Sequence, residues 1–294
     1  MPEGLLRAYD DAELERQYNP RIFTPDSGPM ADRATELSVD YLTRAGKSAQ
    51  DIAYGSRKGE TVDLFLPENA ENAENAPVEM YIHGGYWRAR DKTDFSFMAE
   101  PIVNAGGICA VVNYDLCPDV SLDEIVRQMR AATAWLYQNA ANFGGDPERI
   151  HITGHSAGGH LTAMVAETAW PTFDASLPAD LVKSAIPVSG VFELTPIAGM
   201  SVQEAIQLDD AGIERNSPLR HPIPGAPKMA VTVGGAESEE FKKQSEAYAA
   251  HARAQGSTVE HFEIPGKNHF TILTDTTAPD YALTEVRLRF MGLA

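Results

Sequence analysis

Ile150-His151-Ile152-Thr153-Gly154-His155-Ser156-Ala157-Gly158-Gly159-His160 is a β-prone run that breaks at a glycine and passes directly into a helix-forming stretch of small residues ending near Thr168. It holds the only Gly-X-Ser-X-Gly of the chain. A serine on so short a strand-to-helix turn is held in a strained backbone conformation that pushes its hydroxyl outward. Gly154 and Gly158 carry no side chains to collide as the turn doubles back, and Gly159 lets the helix lie close to a sheet. The amide of Ala157 then stands at a helix N-terminus, where a free N–H and the helix dipole favour negative charge. Ser156 is thereby the candidate nucleophile.

Outward from this turn the chain alternates between strand and helix. Val78–Ile82, Ile108–Tyr114, Ile150–Thr153, Ser184–Ser189, Lys228–Val233 and Thr258–Ile264 read as strands; the second is apolar enough to be buried on both faces. Leu122–Asn139, with Ile125, Met129, Ala132 and Leu136 at helical spacing, reads as a helix. So do Ala157 to about Thr168, Glu239–Gln255 closed by Gly256, and Asp280–Met291. Such alternation predicts an α/β fold, a mostly parallel sheet with helices on both faces, whose functional residues gather at the carboxyl ends of the strands. The polar tract Glu68–Pro77 lies between two apolar runs and reads as an exposed loop. Two stretches break the alternation, residues 1–45 and 191–227. Either could fold over the strand ends as a cap or pack elsewhere as an appendage; the whole of 1–294 is expected to be one domain.

Directly after the first of these strands comes His83-Gly84-Gly85-Tyr86-Trp87. Glycines leave backbone N–H groups uncovered, so Gly84 and Gly85 are candidates to join Ala157 in an oxyanion hole, with His83 orienting the loop. A serine also needs a base. Of eight histidines, His151 and His261 fall in strands and His160 and His251 in helices, whereas His269 follows the last strand on a turn rich in Gly and Asn. His269 is the candidate base. Glu237, just past the strand Met229–Val233, is the candidate orienting carboxylate; Asp275 is a rival, with Asp209 and Asp210 behind it. Aromatic residues cluster near these motifs. Tyr86, Trp87, Phe192 and Phe270 are candidates for a substrate pocket, with Phe95 and Phe97 nearby. Arg88, Arg90 and Lys92 read first as solvated side chains and second as attractants for a carboxylate.

The 294 residues are 43% hydrophobic and 22% charged, ordinary for a globular chain. Forty-two acidic residues against 24 basic ones give a formal charge of −18, which disfavours nucleic acid and anionic membranes as partners. Two cysteines, Cys109 and Cys117, are too few for a disulfide framework. The first residues show no secretory signal, and no apolar run approaches the roughly 18 residues of a membrane span. A soluble cytoplasmic protein is expected. An apolar face on the last helix would suit a homodimer.

Taken together, HGGYW and GHSAGGH resemble the α/β-hydrolase-fold serine hydrolases, and among them kynurenine formamidase (arylformamidase) and its bacterial carboxylesterase relatives. The resemblance runs from about residue 60 to the C-terminus, and LERQYNPR near the N-terminus is also similar to the opening of such proteins. It implies an α/β-hydrolase fold with the chain order Ser156, Glu237, His269, and cleavage of a carboxylic ester or aryl formamide through an acyl-enzyme, without metal or organic cofactor. The chain departs from the pattern twice. Tyr86 stands where hormone-sensitive-lipase-type esterases carry a third glycine, and AESEEFKKQS has Glu237 for the usual Asp and Glu239 for the usual Pro. The alternatives are a short-chain carboxylesterase without formamidase activity, acyl transfer to an acceptor other than water, and a non-catalytic ligand-binding protein of the same fold.

Overall fold

The computed structural model of the chain describes residues 9–68 and 75–294. Most of the Glu68–Pro77 tract, expected as a loop, lies outside the described residues, as do the first eight residues of the N-terminal segment. Among the described residues eight strands form one sheet: β1 (Ser48–Ala53), β2 (Thr61–Phe65), β3 (Ala76–Ile82), β4 (Ile108–Val112), β5 (Gly145–His155), β6 (Val182–Val188), β7 (Lys228–Gly234) and β8 (Val259–Ile264). Their spatial order is β1-β2-β4-β3-β5-β6-β7-β8. The β1–β2 and β2–β4 pairs are antiparallel and every other pair is parallel. All residues of β3 and β4 are buried, as strands in the middle of a doubly covered sheet must be.

The helices run in chain order: α1 (Asp11–Tyr18), α2 (Pro20–Phe23), α3 (Ser27–Arg44), α4 (Glu100–Asn104), α5 (Leu122–Asn139), α6 (Ala157–Ala166), α7 (Trp170–Phe173), α8 (Gln203–Ile206), α9 (Asp210–Asn216), α10 (Glu239–Ala254) and α11 (Ala282–Met291). Met80 and Ile82 of β3 pack in one cluster with Ile125 and Met129 of α5 and Leu161 and Val165 of α6. Tyr81 of β3 points to the opposite face, into a cluster with Ile102 of α4 and Leu283 and Val286 of α11. The apolar face of α11, which suggested a dimer, is therefore spent on the chain's own core: Leu283, Val286, Phe290 and Met291 are all buried there.

Register brings the strand ends into line. Ile82 of β3 faces Gly154 of β5, and His155 faces Val188 of β6. Gly234 of β7 faces Ile264 of β8. The residues that follow these strands therefore emerge along one rim. From β3 the chain goes to β4 on one side and then crosses to β5 on the other, so β3 and β5 flank the point where the winding reverses. In open α/β sheets that point leaves a crevice at the carboxyl ends.

The six strands expected from the sequence are present. β5 begins five residues before Ile150, because Gly145 pairs with Ala76 ahead of an irregularity in the register, and Gly145–Arg149 offers no apolar pattern. β1, Ser-Ala-Gln-Asp-Ile-Ala, is a polar edge strand with no buried residue, so no hydrophobic alternation marks it. The N-terminal stretch forms α1, α2 and α3, and the 191–227 stretch forms α8 and α9 with short 3₁₀ turns.

Candidate active site

Ser156 sits between β5 and α6 at φ 59° and ψ −119°, a conformation most side chains avoid. It persists because its surroundings fix it: Ser156 N donates to Val188 O at 2.9 Å, and His160 N donates to Ser156 O at 3.0 Å. The glycines make the turn sterically possible. A Cβ on Gly154 would stand 2.3 Å from Gly158 O, and one on Gly158 would stand 2.0 Å from Ile82 O. The turn, the adjoining helix and β3 thus touch backbone to backbone, and Ser156 is pushed to the rim.

His269 reaches the serine from the turn after β8, with Nε2 2.8 Å from Ser156 Oγ. Its Nδ1–H donates to Glu237 Oε2 at 2.6 Å. Glu237 lies past the end of β7 with its side chain only 1% exposed. Two further donors hold its other oxygen: Ser189 Oγ at 2.5 Å and Gly234 N at 2.8 Å, both to Oε1. Such partners offset the desolvation of a buried carboxylate. The rings of Phe241 and His155 lie 4.8 and 4.7 Å from the His269 ring and limit its rotation. Burial, with the nearby His269 acting in the same direction, pushes the His155 imidazole well below its usual range. His155 therefore puts no cation beside His269.

The rival carboxylates are engaged elsewhere. Asp275 pairs with Lys267, Asp209 caps α9 through the Gly212 amide, and Asp210 lies in the first turn of that helix. Three of the four strand and helix histidines are likewise occupied, while His261 lies in β8 with its Nε2 unpartnered among the described residues. His151 bonds Ser184 Oγ, His160 bonds Asn216 O and His251 bonds His221 O. His83 is fully buried, with Nδ1 donating to Gly84 O at 2.8 Å and its ring stacked on Tyr114. This anchors the glycine loop from below.

Gly84 comes directly against the nucleophile: a Cβ there would stand 3.0 Å from Ser156 Cβ and 2.9 Å from His155 O. Gly85 adopts φ +117°, where a Cβ would collide with Ala89 O. Ala157 is the first residue of α6, so its N–H has no intrahelical acceptor. The backbone of this loop and that of the helix start flank Ser156 from two sides.

A cavity of about 210 Å³ opens onto Ser156 and His269. Its wall is mainly apolar, with Met30, Tyr86, Phe95, Met200, Phe270 and Leu273 prominent. Tyr86 and Phe270 thus stand where the aromatic pattern places them, whereas Trp87 and Phe192 do not. Trp87 is 1% exposed with its ring edge on His160, and Phe192 is fully buried and stacked on Tyr248. Position next to a motif does not reveal which way a side chain turns, and in both cases the core claims the ring. Lys92, expected to be solvated, is 3% exposed and pairs with Asp51 and Asp63. Sequence reasoning missed Ser189, a lone serine at a strand end. It also missed the lining residues from the two irregular stretches: Asn19, Pro20, Arg21, Met30, Ala31 and Ala34 from the first, Met200 and Val202 from the second.

A mostly parallel sheet with helices on both faces, a serine on a strained strand-to-helix elbow, and an acid and a histidine arriving in that order from later strand ends define an α/β-hydrolase, and the chain is a hydrolase of this fold. It belongs to the BD-FAE family, whose model matches residues 62–222. Kynurenine formamidase of Danio rerio is 32% identical over 292 residues, covering 95% of this chain and 96% of the relative. Esterase LipQ of Mycobacterium tuberculosis is 30% identical over 269 residues, covering 84% of this chain and 63% of the relative. A crystal structure from Silicibacter sp. tm1040 superposes with a TM-score of 0.80 at 26% identity, covering 92% of this chain and 98% of that one. Among the described residues no helix is long and apolar enough to cross a membrane.

Proposed function

We propose that Ser156, His269 and Glu237 form a catalytic triad that hydrolyses a carboxylic ester or an aryl formamide through an acyl-enzyme on Ser156. The observation that carries this reading is the unbroken relay from Ser156 Oγ through His269 to Glu237, at 2.8 and 2.6 Å, on the floor of the cavity. Nε2 of His269 takes the serine proton as Oγ attacks the carbonyl, and Glu237 holds the ring and stabilises the imidazolium. The N–H groups of Gly84, Gly85 and Ala157 stabilise the oxyanion, a contribution of roughly a hundred- to a thousandfold per donor. The imidazolium then protonates the leaving alcohol or aryl amine. Water, activated by the same histidine, releases the acid. The N-terminal segment and the 191–227 stretch serve as the cap, and the substrate pocket lies between them and the glycine loop, against Tyr86 and Phe270.

Similarity to kynurenine formamidase over nearly the whole of both chains favours an aryl formamide, while similarity to LipQ keeps simple esters within the reading. Turnover of N-formylkynurenine against p-nitrophenyl acetate and butyrate separates the two. Ser156→Ala should lower turnover of the best substrate by about 10⁴-fold or more and abolish labelling by a fluorophosphonate. Near-wild-type turnover in that variant would overturn the reading.

A further inference from the structure

The cavity wall carries three formal charges besides the histidines, and all three are arginines: Arg21, Arg88 and Arg90. No Asp or Glu lines it. The chain has 42 acidic residues to 24 basic ones, so the wall inverts the sign of the surface around it. The three arginines differ in what holds them. Arg90 is half-buried and committed: NH2 donates to Ala31 O at 3.2 Å, NH1 donates to Thr35 Oγ1 at 3.4 Å, and Asp94 lies 3.8 Å away. It ties the glycine loop to α3. Arg21 and Arg88 are exposed, and among the described residues neither guanidinium has a hydrogen-bond or ion-pair partner. The acid that Arg88 influences is Glu15, whose carboxylate already accepts from Ser201 N and from Asn19 Nδ2.

These two arginines reach the cavity from separate parts of the chain. Arg21 comes from α2 in the N-terminal segment, and Arg88 from the end of the glycine loop, three residues after Gly85. A guanidinium offers a planar fork of donors matched to a carboxylate. An apolar cleft rimmed by fixed positive charge attracts anions more strongly than the same charge on an open surface.

We infer that Arg21 and Arg88 form an anion subsite, so that the preferred substrate carries a carboxylate beyond the apolar or aromatic group adjoining its scissile bond. The inference rests on the proposed hydrolysis at Ser156 and adds the charge of the substrate to it. The chemistry divides by length of reach: Ser156 and His269 work on the carbonyl, the apolar wall accepts the body of the molecule, and the arginines take its far end at the mouth. The N-terminal segment is then part of substrate selection as well as of the cavity roof.

The test compares isosteric pairs that differ only in charge. On the leaving-group side these are 3-acetoxybenzoate and 3-acetoxybenzamide; on the acyl side, monophenyl adipate and the phenyl ester of adipamic acid. In wild-type protein kcat/KM should favour the carboxylate in at least one pair, and the side on which it does so locates the anion. In an Arg21→Ala/Arg88→Ala double variant that carboxylate-to-carboxamide ratio should fall about tenfold or more, as loss of charge-assisted hydrogen bonds predicts. Arg88→Glu should lower it further, and added salt should shrink the wild-type ratio. A ratio unchanged in the double variant for both pairs would overturn the inference. Calorimetric binding of 3-hydroxybenzoate against 3-hydroxybenzamide reads the subsite without turnover. Equal affinities that the double variant leaves equal would also overturn it. Failure of the triad alone, seen as absent fluorophosphonate labelling, leaves this binding result to be judged separately.

Discussion

Glu237 illustrates how much of the site depends on single side chains outside the three reacting residues. Its carboxylate takes one hydrogen bond from the imidazole and two from Ser189 Oγ and Gly234 N. The Gly234 amide is fixed by the backbone, so Ser189 is the one removable donor that sets the tilt of the carboxylate. Hydrogen bonds to charged groups contribute about 1.5–3 kcal/mol. Ser189→Ala should therefore lower kcat by about tenfold or more while KM changes little, as steady-state kinetics on the best substrate would measure. An unchanged kcat would mean that Gly234 N and His269 suffice to hold Glu237. The role of Ser189 is not legible in the sequence: Ser-Gly after a strand is common turn chemistry, and only the β5–β6 and β6–β7 registers bring it to the acid. Ser156, His269 and Glu237 are legible because each follows a recognisable strand end. The pocket aromatics are less so, since of the neighbours Tyr86 and Trp87 only Tyr86 lines the cavity.

At the scale of elements, the sheet is held to α11 by a buried ion pair. Arg287 donates from Nε to Glu79 Oε1 at 2.9 Å and from NH2 to Oε2 at 2.5 Å, with both side chains at most 1% exposed. Thr153 Oγ1 adds a bond to Glu79 at 2.7 Å, which links β3, α11 and the strand that delivers Ser156. Removing one member of such a pair leaves an uncompensated buried charge, at a cost of about 3–5 kcal/mol, whereas replacing both with apolar groups is often close to neutral. Arg287→Leu should accordingly lower unfolding stability by about that amount in urea titrations. The double variant Glu79→Leu/Arg287→Leu should recover most of it; failure to recover would show that the pair itself, and not the stranded charge, carries the stability. The sequence marks strand and helix here but not the pair. In Val-Glu-Met-Tyr-Ile, Glu79 reads as a polar position in a strand, and nothing local says that its partner lies 208 residues away. The polar edge strand β1 is hidden for the complementary reason, because backbone pairing alone makes it a strand.

For the molecule as a whole, the alternating pattern from β3 onward was enough to place the rim, because apolar strands buried on both faces admit few arrangements. The roof was not, since α1, α2 and α3 present mixed polar faces whose docking depends on contacts such as Ser238 Oγ to Gln17 O at 2.6 Å. The same burial that orders the core also sets its response to acid. Burial pushes the imidazoles of His151 and His160 down from 6.5 to about 4. Each is neutral in the folded chain and gains a proton on unfolding anywhere between those two values. The unfolded state thus binds more protons in this window, and stability falls as pH drops from 6.5 towards 4. Integrated over the window the loss is about 3 kcal/mol per histidine. Titration of exposed carboxylates, which relieves the repulsion of a chain with formal charge −18, is centred near the lower end of the window, so the upper part isolates the histidines. Urea unfolding followed between pH 7 and 5 should show stability declining with a slope of two protons or more as the unfolded imidazoles become charged, because burial also pushes His83, His155 and His261 down. His151→Asn and His160→Gln should each reduce that slope by about one proton, whatever they do to stability at neutral pH. A wild-type slope near zero above pH 5 would mean that these two imidazoles gain their protons without unfolding.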